Sequence, residues 1–233
     1  IDQYLDNAVE VDVYALSDKD GNVLIAGIME HIEPAGVHSG DSACCLPTIS
    51  LSQESLKIIR DWTSEISKSL KVIGLINLQF AVQRNYSGKE KVFIIEANPR
   101  ASRTIPFVSK SIGLPLARLA TSLLSGKTLN ELSLIEEPIP PLQSIKEAVM
   151  PFRRFPGSDS VLGPEMRSTG EVMGTASDFG MAYAKSEIAA GEALPTSGIV
   201  FLSTHDRDKP SLIPIARNLM DLGFGLIATS GTA

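Results

Sequence analysis

The sequence predicts an α+β protein built on an antiparallel sheet with packed helices. Segments with apolar residues at every second position are joined by short polar turns, as in β-hairpins. A segment with apolar residues at helical spacing follows the first hairpin. Near the carboxyl end, a strand, a helix and a second strand follow one another as in a βαβ unit. This last unit predicts the start of a Rossmann-like α/β domain after the antiparallel part.

The first hairpin is predicted from alternation and from a turn signal. In the strand Val9 to Leu16, valines at every second position face away from Glu10, Asp12 and Tyr14. The cluster Asp18 to Asn22 is typical of a turn, and Val23 to Met29 is the predicted return strand. A glycine-rich loop, Gly36 to Ser42, follows.

The segment after this loop predicts a helix. Ser50 and Gln53 fit a capping box at its start. Apolar residues then recur at helical spacing, at Leu56, Ile59, Trp62, Ile66 and Leu70. Such a helix packs one apolar stripe against a sheet.

A second hairpin and a second helix complete the antiparallel part. Strands are predicted at Leu75 to Val82 and at Val92 to Ala97, around the turn Asn85 to Gly88. Phe107 to Leu124 is predicted as one helix that ends near Gly126.

Two composition shifts divide the chain. Glu136 to Pro141 is too rich in proline for a helix or a central strand. Gly191 to Gly198 is rich in small residues, and the βαβ unit follows, with a strand at Ile199 to Ser203, a helix from about Lys209 to Leu222 and a strand at Leu226 to Ala228. We therefore expect three segments, namely residues 1–126, 127–196 and 197–233.

Composition excludes several classes of function. The net charge is −6 and the isoelectric point is near 5.2, so no nucleic-acid partner is expected, because such binding needs a basic face. No apolar run approaches the roughly 20 residues that span a bilayer, so no membrane partner is expected. Cys44 and Cys45 are sequence neighbours, a poor disulfide pair, and we expect two small core residues in a reduced compartment.

The segment Glu96 to Arg100 carries the strongest chemical signal. Side chains alternate along a strand, so Glu96 and Asn98 share a face, and Gln79 on the neighbouring strand can converge on it. Carboxylate and amide oxygens are the hard ligands that Mg²⁺ prefers. Arg100 and Arg103 could neutralise a phosphoryl group in transfer. The alternative is a polar strand face turned to water, with Arg100 as a surface charge.

Longer stretches resemble one family. Gln79 to Val82 followed by Glu96 to Arg103 is similar to the metal-binding half of an ATP-grasp site in carbamoyl phosphate synthetases. Gly27 to Glu33, Gly36 to Ser42 and Gly163 to Val172 resemble the large chain of that enzyme. The resemblance covers nearly the whole sequence, and it implies the carboxy-terminal lobe of the second, carbamate-phosphorylating ATP-grasp half.

The resemblance implies a role for each site residue. It implies ATP with two Mg²⁺ or Mn²⁺ ions, held by Gln79, Glu96 and Asn98. It implies that Arg100, Arg103 and His38 act as the catalytic contacts to phosphoryl and carbamate groups. The nucleotide contacts that it implies are Leu5, Glu10, Gly36, Val37, His38, Ser39, Gln79 and Glu96. His31, Glu33 and Ser42 lie where the family has a potassium loop, in which Pro34 replaces a frequent glutamine.

Regulatory sites are implied by the same resemblance. The last segment resembles the start of a methylglyoxal-synthase-like domain, in which Lys209, Thr229 and Thr232 would bind an effector nucleotide, UMP or IMP. Without the resemblance, the turn at Thr229 fits an ordinary strand-to-helix connection equally well. Glu33, Asp41 and Glu147 match positions that bind ornithine in some relatives.

The implied partners are a small-subunit glutamine amidotransferase and the remainder of the large chain. We expect the 233 residues alone to be inactive, because the resemblance places an amino-terminal lobe and a lid upstream. The expected compartment is the cytoplasm for a bacterial protein and the plastid stroma for a plant or algal one. Two other hypotheses stay open, namely another ATP-grasp carboxylase or ligase, and a non-catalytic nucleotide-binding regulatory module.

Overall fold

A computed structural model describes residues 5, 8–85, 88–152, 157, 160–192 and 194–233. These residues form two compact units, 1–192 and 193–233. Of the predicted turn at Asn85 to Gly88, Tyr86 and Ser87 lie outside the described residues. Among the helices in the described ranges, none combines the length and the apolar character needed to cross a bilayer.

The first unit is built on a seven-stranded antiparallel sheet. Its strands are β1 (Ala8–Ser17), β2 (Val23–His31), β3 (Cys44–Leu46), β4 (Gly74–Arg84), β5 (Glu90–Asn98), β6 (Gln143–Val149) and β7 (Gly170–Ala176). They lie in the order β5-β4-β1-β2-β3-β6-β7. Its helices are α1 (Gln53–Ser69), α2 (Ile105–Ile112), α3 (Leu116–Leu124) and α4 (Phe179–Ala190). The predicted antiparallel sheet and both hairpins are confirmed.

Alternation along β1 and β4 divides the core between the two sheet faces. On one face, Val11 and Val13 pack with Ile76, Leu78, Phe80 and Val82 under α1, as the alternation predicts. On the other face, α2 and α3 pack against Tyr14, Leu16 and Leu75. Beyond Tyr14, the next residues of β1 on this second face are Asp12 and Glu10. The apolar cover therefore ends where polar side chains begin, and this border positions the candidate site.

The start of α1 differs from the predicted capping box. The helix is capped by Ser52, whose Oγ accepts from the backbone N–H of Ser55 at 3.2 Å. Ser52 is itself fixed from the sheet, because its hydroxyl donates to Oε2 of Glu90 at 2.6 Å. The predicted cap at Ser50 is wrong because Glu90, distant in sequence, selects the later serine.

The single helix predicted from Phe107 to Leu124 is also wrong, since the structure has two. The first, α2, ends at Gly113, which adopts the left-handed conformation with φ of 72°. Pro115 then precedes α3, and a proline here disfavours helical backbone at the residue before it. The helix is therefore interrupted between residues 113 and 115.

Several elements carry no clear sequence signal. The short strand β3 places Cys44 and Cys45 in the core as free, fully buried thiols. The hairpin of β6 and β7 extends the sheet beyond β3, and α4 packs on it through Phe179, Tyr183 and Ala182.

The second unit is a βαβ unit. It consists of β8 (Ile199–Leu202), α5 (Lys209–Asp221) and β9 (Gly225–Ala228), and the two strands pair in parallel. The helix α5 and the strand β9 each begin and end within one residue of the prediction. That the unit begins a Rossmann-like domain stays a prediction.

Candidate active site

A cavity of about 240 Å³ lies on the polar part of the sheet face. It brings together most of the residues that the sequence predicts for metal, phosphate and nucleotide. The predicted residues that line it are His38, Ser39, Gln79, Glu96, Asn98, Arg100 and Arg103. Asp12, Tyr14 and Asn77, which the sequence predicts only as polar-face residues, form part of the same lining.

The three candidate metal ligands are neighbours across β4 and β5. Gln79 is directly opposite Glu96, so their side chains leave the sheet side by side. Asn98 is on the same face, and its Nδ2 donates to Oε1 of Glu96 at 2.7 Å. One carboxylate and two amide oxygens at one point are a donor set that suits Mg²⁺.

A β-bulge shapes this end of β5. Gln79 pairs with Glu96, whereas the next residue, Phe80, pairs with Ile94, so Ile95 is the extra residue. An inserted residue shifts the alternation of the strand. Because the bulge precedes Glu96, both Glu96 and Asn98 are aligned with the polar face of β4 rather than with its apolar face.

Among the described residues, no group of three or more His, Cys, Asp and Glu side chains is arranged to hold a metal ion. This finding does not conflict with the predicted ligands, because that set contains only one carboxylate. The donor set fits a hard divalent cation that keeps further ligands from water or phosphate.

The glycine-rich loop is fastened to the sheet at several points. The N–H of Gly36 donates to Oε1 of Glu10 at 2.9 Å, and the ammonium of Lys146 donates to the carbonyl of Ser39 at 2.9 Å. The side chain of Ser39 accepts from Nε2 of Gln79 at 3.3 Å. The loop is therefore held against the candidate metal ligands.

His38 faces the cavity with one ring nitrogen already engaged. Its Nδ1 accepts from the N–H of Gly40 at 3.0 Å, so the proton of a neutral ring is on Nε2. A Cβ at Gly40 would come within 3.0 Å of Nη2 of Arg103 and 3.1 Å of Nδ1 of His38. Glycine at position 40 therefore permits the close approach of these two side chains.

The two candidate arginines differ in their freedom. Arg103 is fixed, since its Nε donates to Glu171 at 2.9 Å and its Nη2 donates to the carbonyl of Gly40 at 2.5 Å and to the hydroxyl of Ser168. Arg100 is exposed, and its Nη1 donates to the carbonyl of Ala101 at 3.2 Å. Arg100 can therefore turn toward a ligand more easily than Arg103.

A buried hydrogen-bonded chain lies beneath the cavity. Oδ2 of Asp12 is 2.9 Å from Nε2 of His31, and Oδ1 accepts from Nδ2 of Asn77 at 3.0 Å. Burial alone would raise the pKa of Asp12, but the hydrogen bond and charge of His31 outweigh it and lower the pKa. Burial and the Asp12 charge raise the pKa of Tyr14. Asp12 is therefore a buried anion, and the Tyr14 hydroxyl stays neutral.

The remaining predicted nucleotide contacts, Leu5, Glu10, Gly36 and Val37, are not in the lining of this cavity. Leu5 is half-buried and precedes β1, and Val37 lies in the loop with its N–H 3.4 Å from the carbonyl of Pro34. In the proposed potassium loop, the hydroxyl of Ser42 donates to the carbonyl of His38 at 3.4 Å. The positions of Leu5, Val37 and Ser42 therefore leave the predicted nucleotide contacts and the potassium ion as predictions.

The three candidate ornithine residues are not equivalent. Asp41 is buried, and its carboxylate accepts from the N–H groups of Arg167 at 2.7 Å and Ser168 at 2.9 Å. By contrast, Oε2 of Glu33 and Oε2 of Glu147 are shielded from solvent and accept no hydrogen bond within the described ranges. Asp41 therefore ties the loop to the segment before β7, and Glu33 and Glu147 keep acceptor capacity.

The candidate effector residues of the second unit lie at its turns. Oγ1 of Thr229 is 3.0 Å from Oγ1 of Thr232, which also accepts from the N–H of Thr204 at 3.1 Å. The ammonium of Lys209 is 2.7 Å from Oδ1 of Asp206. The two threonines thus form one turn after β9, while Lys209 starts α5.

Residues 1–132, more than half of the chain, match the family model described as the carbamoyl-phosphate synthase L chain, ATP binding domain. The chain is 59% identical over 232 residues to the carbamoyl phosphate synthase large chain of Nostoc sp., which covers 100% of this chain and 21% of that relative. It is 57% identical over 233 residues to the arginine-specific, chloroplastic large chain of Oryza sativa, covering 100% of this chain and 20% of that relative. The chain spans about a fifth of the length of these relatives.

Solved structures give the fold. The chain resembles a biotin carboxylase of Campylobacter jejuni in a β,γ-ATP complex, with a TM-score of 0.62 and 16% identity over 83% of this chain and 47% of that chain. The biotin carboxylase domain of a single-chain bacterial carboxylase gives a TM-score of 0.61 at 16% identity over 81% of this chain and 47% of that chain. The predicted ATP-grasp fold is thereby confirmed. From the match over residues 1–132 and the full-length likeness to large chains, the chain belongs to the carbamoyl-phosphate synthase L chain ATP-binding family.

Proposed function

We propose that the chain supplies the nucleotide and metal site of the second ATP-grasp half in a carbamoyl phosphate synthase large chain. There, an oxygen of carbamate would attack the γ-phosphorus of ATP, so that one P–O bond forms and the bond to ADP breaks. The observation that carries the proposal is the joint position of Gln79, Glu96 and Asn98 at one cavity with the loop residues His38 and Ser39. Identity of 57–59% to large chains across the full sequence supports it.

The protein groups would act mainly through position and charge. Gln79, Glu96 and Asn98 would hold Mg²⁺ or Mn²⁺, which supplies charge neutralisation at the phosphates. Arg100, exposed beside the cavity, would approach the phosphoryl group in transfer. Arg103, which is fixed by Glu171, Gly40 and Ser168, would hold the loop in place and act on carbamate through its positive charge. His38 would donate from Nε2 to a phosphate oxygen.

The complete reaction is proposed for the full-length protein, because the chain spans about a fifth of its relatives. The proposed partners are the remainder of the large chain and a small-subunit glutamine amidotransferase. The proposed compartment is the cytoplasm of a bacterium or the plastid stroma of a plant or alga. A potassium ion near His31, Glu33 and Ser42 is part of the same proposal.

Regulatory ligands are proposed at two places. Glu33 and Glu147, each with a buried carboxylate oxygen that accepts no hydrogen bond within the described ranges, suit the ammonium group of an amino acid such as ornithine. Asp41 would support that site through the loop. Lys209, Thr229 and Thr232 are proposed for the phosphate of UMP or IMP, since hydroxyls and amides at a turn bind anions.

The proposal is tested by Glu96→Gln in the full-length protein, with carbamoyl phosphate as the measured product. We expect synthesis to fall about 100-fold or more, because the substitution removes the only carboxylate of the predicted metal set and with it a preorganised charge. Glu65→Gln on the exposed face of α1 is the matched control and should leave carbamoyl phosphate synthesis unchanged. Near wild-type synthesis by the Glu96 variant would refute the assignment. ATP hydrolysis without carbamoyl phosphate in the wild-type protein would favour another ATP-grasp enzyme.

A further inference from the structure

We propose that Asp12 and His31 form a buried positioning pair that sets the orientation of the Glu10 carboxylate for the nucleotide ribose. This inference rests on the proposed function, in which Glu10 accepts hydrogen bonds from ribose hydroxyls. His31 does not touch the nucleotide in this proposal. It positions Glu10, and through Glu10 it contributes to the choice between ribose and deoxyribose.

A continuous chain of contacts leads from the sheet interior to Glu10. Asn77 on β4 donates to Oδ1 of Asp12 on β1 at 3.0 Å. Oδ2 of Asp12 is 2.9 Å from Nε2 of His31 on β2, and Nδ1 of His31 is 3.6 Å from Oε2 of Glu10. The imidazole ring therefore lies between two carboxylates of one strand, and each ring nitrogen faces one of them.

The Glu10 carboxylate is held from two sides. Oε2 faces His31, and Oε1 accepts from the N–H of Gly36 in the loop at 2.9 Å. Each ionised carboxylate oxygen has two lone pairs, so both oxygens can accept further hydrogen bonds. The Glu10 side chain is 16% exposed, whereas those of Asp12 and His31 are 3% and 2% exposed. Glu10 is thus the most exposed member of the trio.

Charged and polar groups surround His31. Asp12 and Glu10 face it from β1, Cys44 is opposite it on β3, and Lys146 on β6 and Glu33 act on the same cluster. Nε2 of His31 is within hydrogen-bond distance of Asp12, at 2.9 Å, and Nδ1 faces Glu10 at 3.6 Å. The buried ring therefore sits against both carboxylates and limits how they can move relative to each other.

Stability alone does not explain such a pair. A buried ion pair contributes no more than well-packed apolar residues of similar volume. The pair also lies where the apolar cover of α2 and α3 ends, with Asp12 in the lining of the candidate site. An arrangement that is energetically costly and that ends on the most exposed carboxylate of the trio is best suited to orient that carboxylate.

The test uses the full-length protein and the reverse reaction of this site, formation of ATP from carbamoyl phosphate and ADP. The measured quantity is the ratio of kcat/KM for ADP to that for 3′-deoxyADP, and separately for 2′-deoxyADP. We expect a clear preference for ADP in the wild type and a loss of about tenfold or more of that preference in Glu10→Gln, as for a hydrogen bond to a charged acceptor. His31→Gln should lose a comparable part of the preference, mainly through KM, and the double variant should lose no more than Glu10→Gln alone.

Asp12→Asn provides a second, isosteric variant that should lower the preference in the same direction even if His31→Gln does not fold. His205→Gln, at an exposed position of the second unit, is the matched control and should keep the wild-type ratio. A folded His31→Gln or Asp12→Asn protein that keeps the full preference, while Glu10→Gln loses it, would overturn the positioning role. A wild-type protein that forms ATP but treats the three nucleotides alike would also overturn it and would leave the proposed function intact.

Discussion

The Glu147 side chain lies where a carboxyl group ionises with difficulty. Burial raises its pKa to about 7, and the charges of Glu187 and Glu33 act in the same direction. The folded state therefore holds the proton more tightly than the unfolded state, where the ordinary value is 4.5. The contribution of Glu147 to wild-type stability is accordingly complete below about pH 4.5 and is lost as the pH rises through about 7.

Glu147→Gln should therefore stabilise the chain at high pH only, because glutamine has no charge to bury. We expect the midpoint of thermal unfolding to rise by about 2–4 °C at pH 8, the shift that about 1 kcal/mol causes in a chain of this size, after allowance for solvent screening. At about pH 4, below the ordinary value of 4.5, the two proteins should unfold together. Circular dichroism melts at both pH values measure this.

Glu165→Gln, at an exposed position before β7, serves as the control and should change neither melt. An equal shift of the Glu147 variant at both pH values would mean that packing, and not ionisation, separates it from wild type. A lower midpoint at pH 8 would contradict the raised pKa itself.

Single residues show how far the sequence predicts the site. Alternation along β5 is a local property, and it correctly placed Glu96 and Asn98 on one face. Their alignment with Gln79 depends on the pairing of β4 with β5 and on the bulge before Glu96. The roles of those residues stay predictions. Alternation could not predict that Arg103 is fastened by Glu171, 68 residues away in sequence, or that Lys146 reaches the loop at Ser39. Such contacts depend on which strands become neighbours.

At the scale of elements, the contact between β7 and α4 is close enough to test. A Cβ built on Gly174 would be 2.1 Å from the carbonyl oxygen of Ala182 and 2.5 Å from the backbone nitrogen of Ser186. Both atoms belong to the backbone of α4, so they cannot turn away. Gly174→Ala should therefore lower the free energy of unfolding by about 1–3 kcal/mol or more, the scale of overpacking.

Gly180→Ala in the first turn of α4 is the matched control. Its new methyl group would lie 3.6 Å from Oδ1 of Asp178, an ordinary contact, and alanine favours a helix by about 1 kcal/mol over glycine. In urea unfolding, the free energy of unfolding should fall for Gly174→Ala and rise for Gly180→Ala, relative to wild type. Equal stability of Gly174→Ala and wild type would show that helix and strand can separate at little cost.

There is also a physical reason why the sequence does not predict some elements. The strand β6 contains the fully buried Lys146, which breaks the expected pattern of apolar residues facing inward. The strand β3 has only three residues and pairs with β2 and β6. The cap of α1 at Ser52 depends on Glu90. In each case a contact distant in sequence decides the local structure, and a local pattern cannot report it.

The two units of the molecule differ in how much they bury. Most strands of the first unit pair on both sides, and α1, α2 and α3 cover the sheet. In the second unit, no residue from 194 to 233 is fully buried, and apolar side chains such as Ile199 and Phe201 are 72% and 60% exposed. Two strands with one helix seldom form a stable core by themselves.

This difference predicts unequal local stability in the chain. Amides of α5 open without exposing a core, whereas those of β1 are paired with both β2 and β4, so their exchange requires the sheet to separate. Hydrogen exchange followed by mass spectrometry should show α5 exchanging orders of magnitude faster than β1, with α1 intermediate. Removal of residues 193–233 should leave the melting midpoint of the first unit within about 2 °C, since an unstable unit contributes little to it. Protection of α5 equal to that of β1 would contradict the argument, because exchange that slow needs a buried core that residues 194–233 do not have.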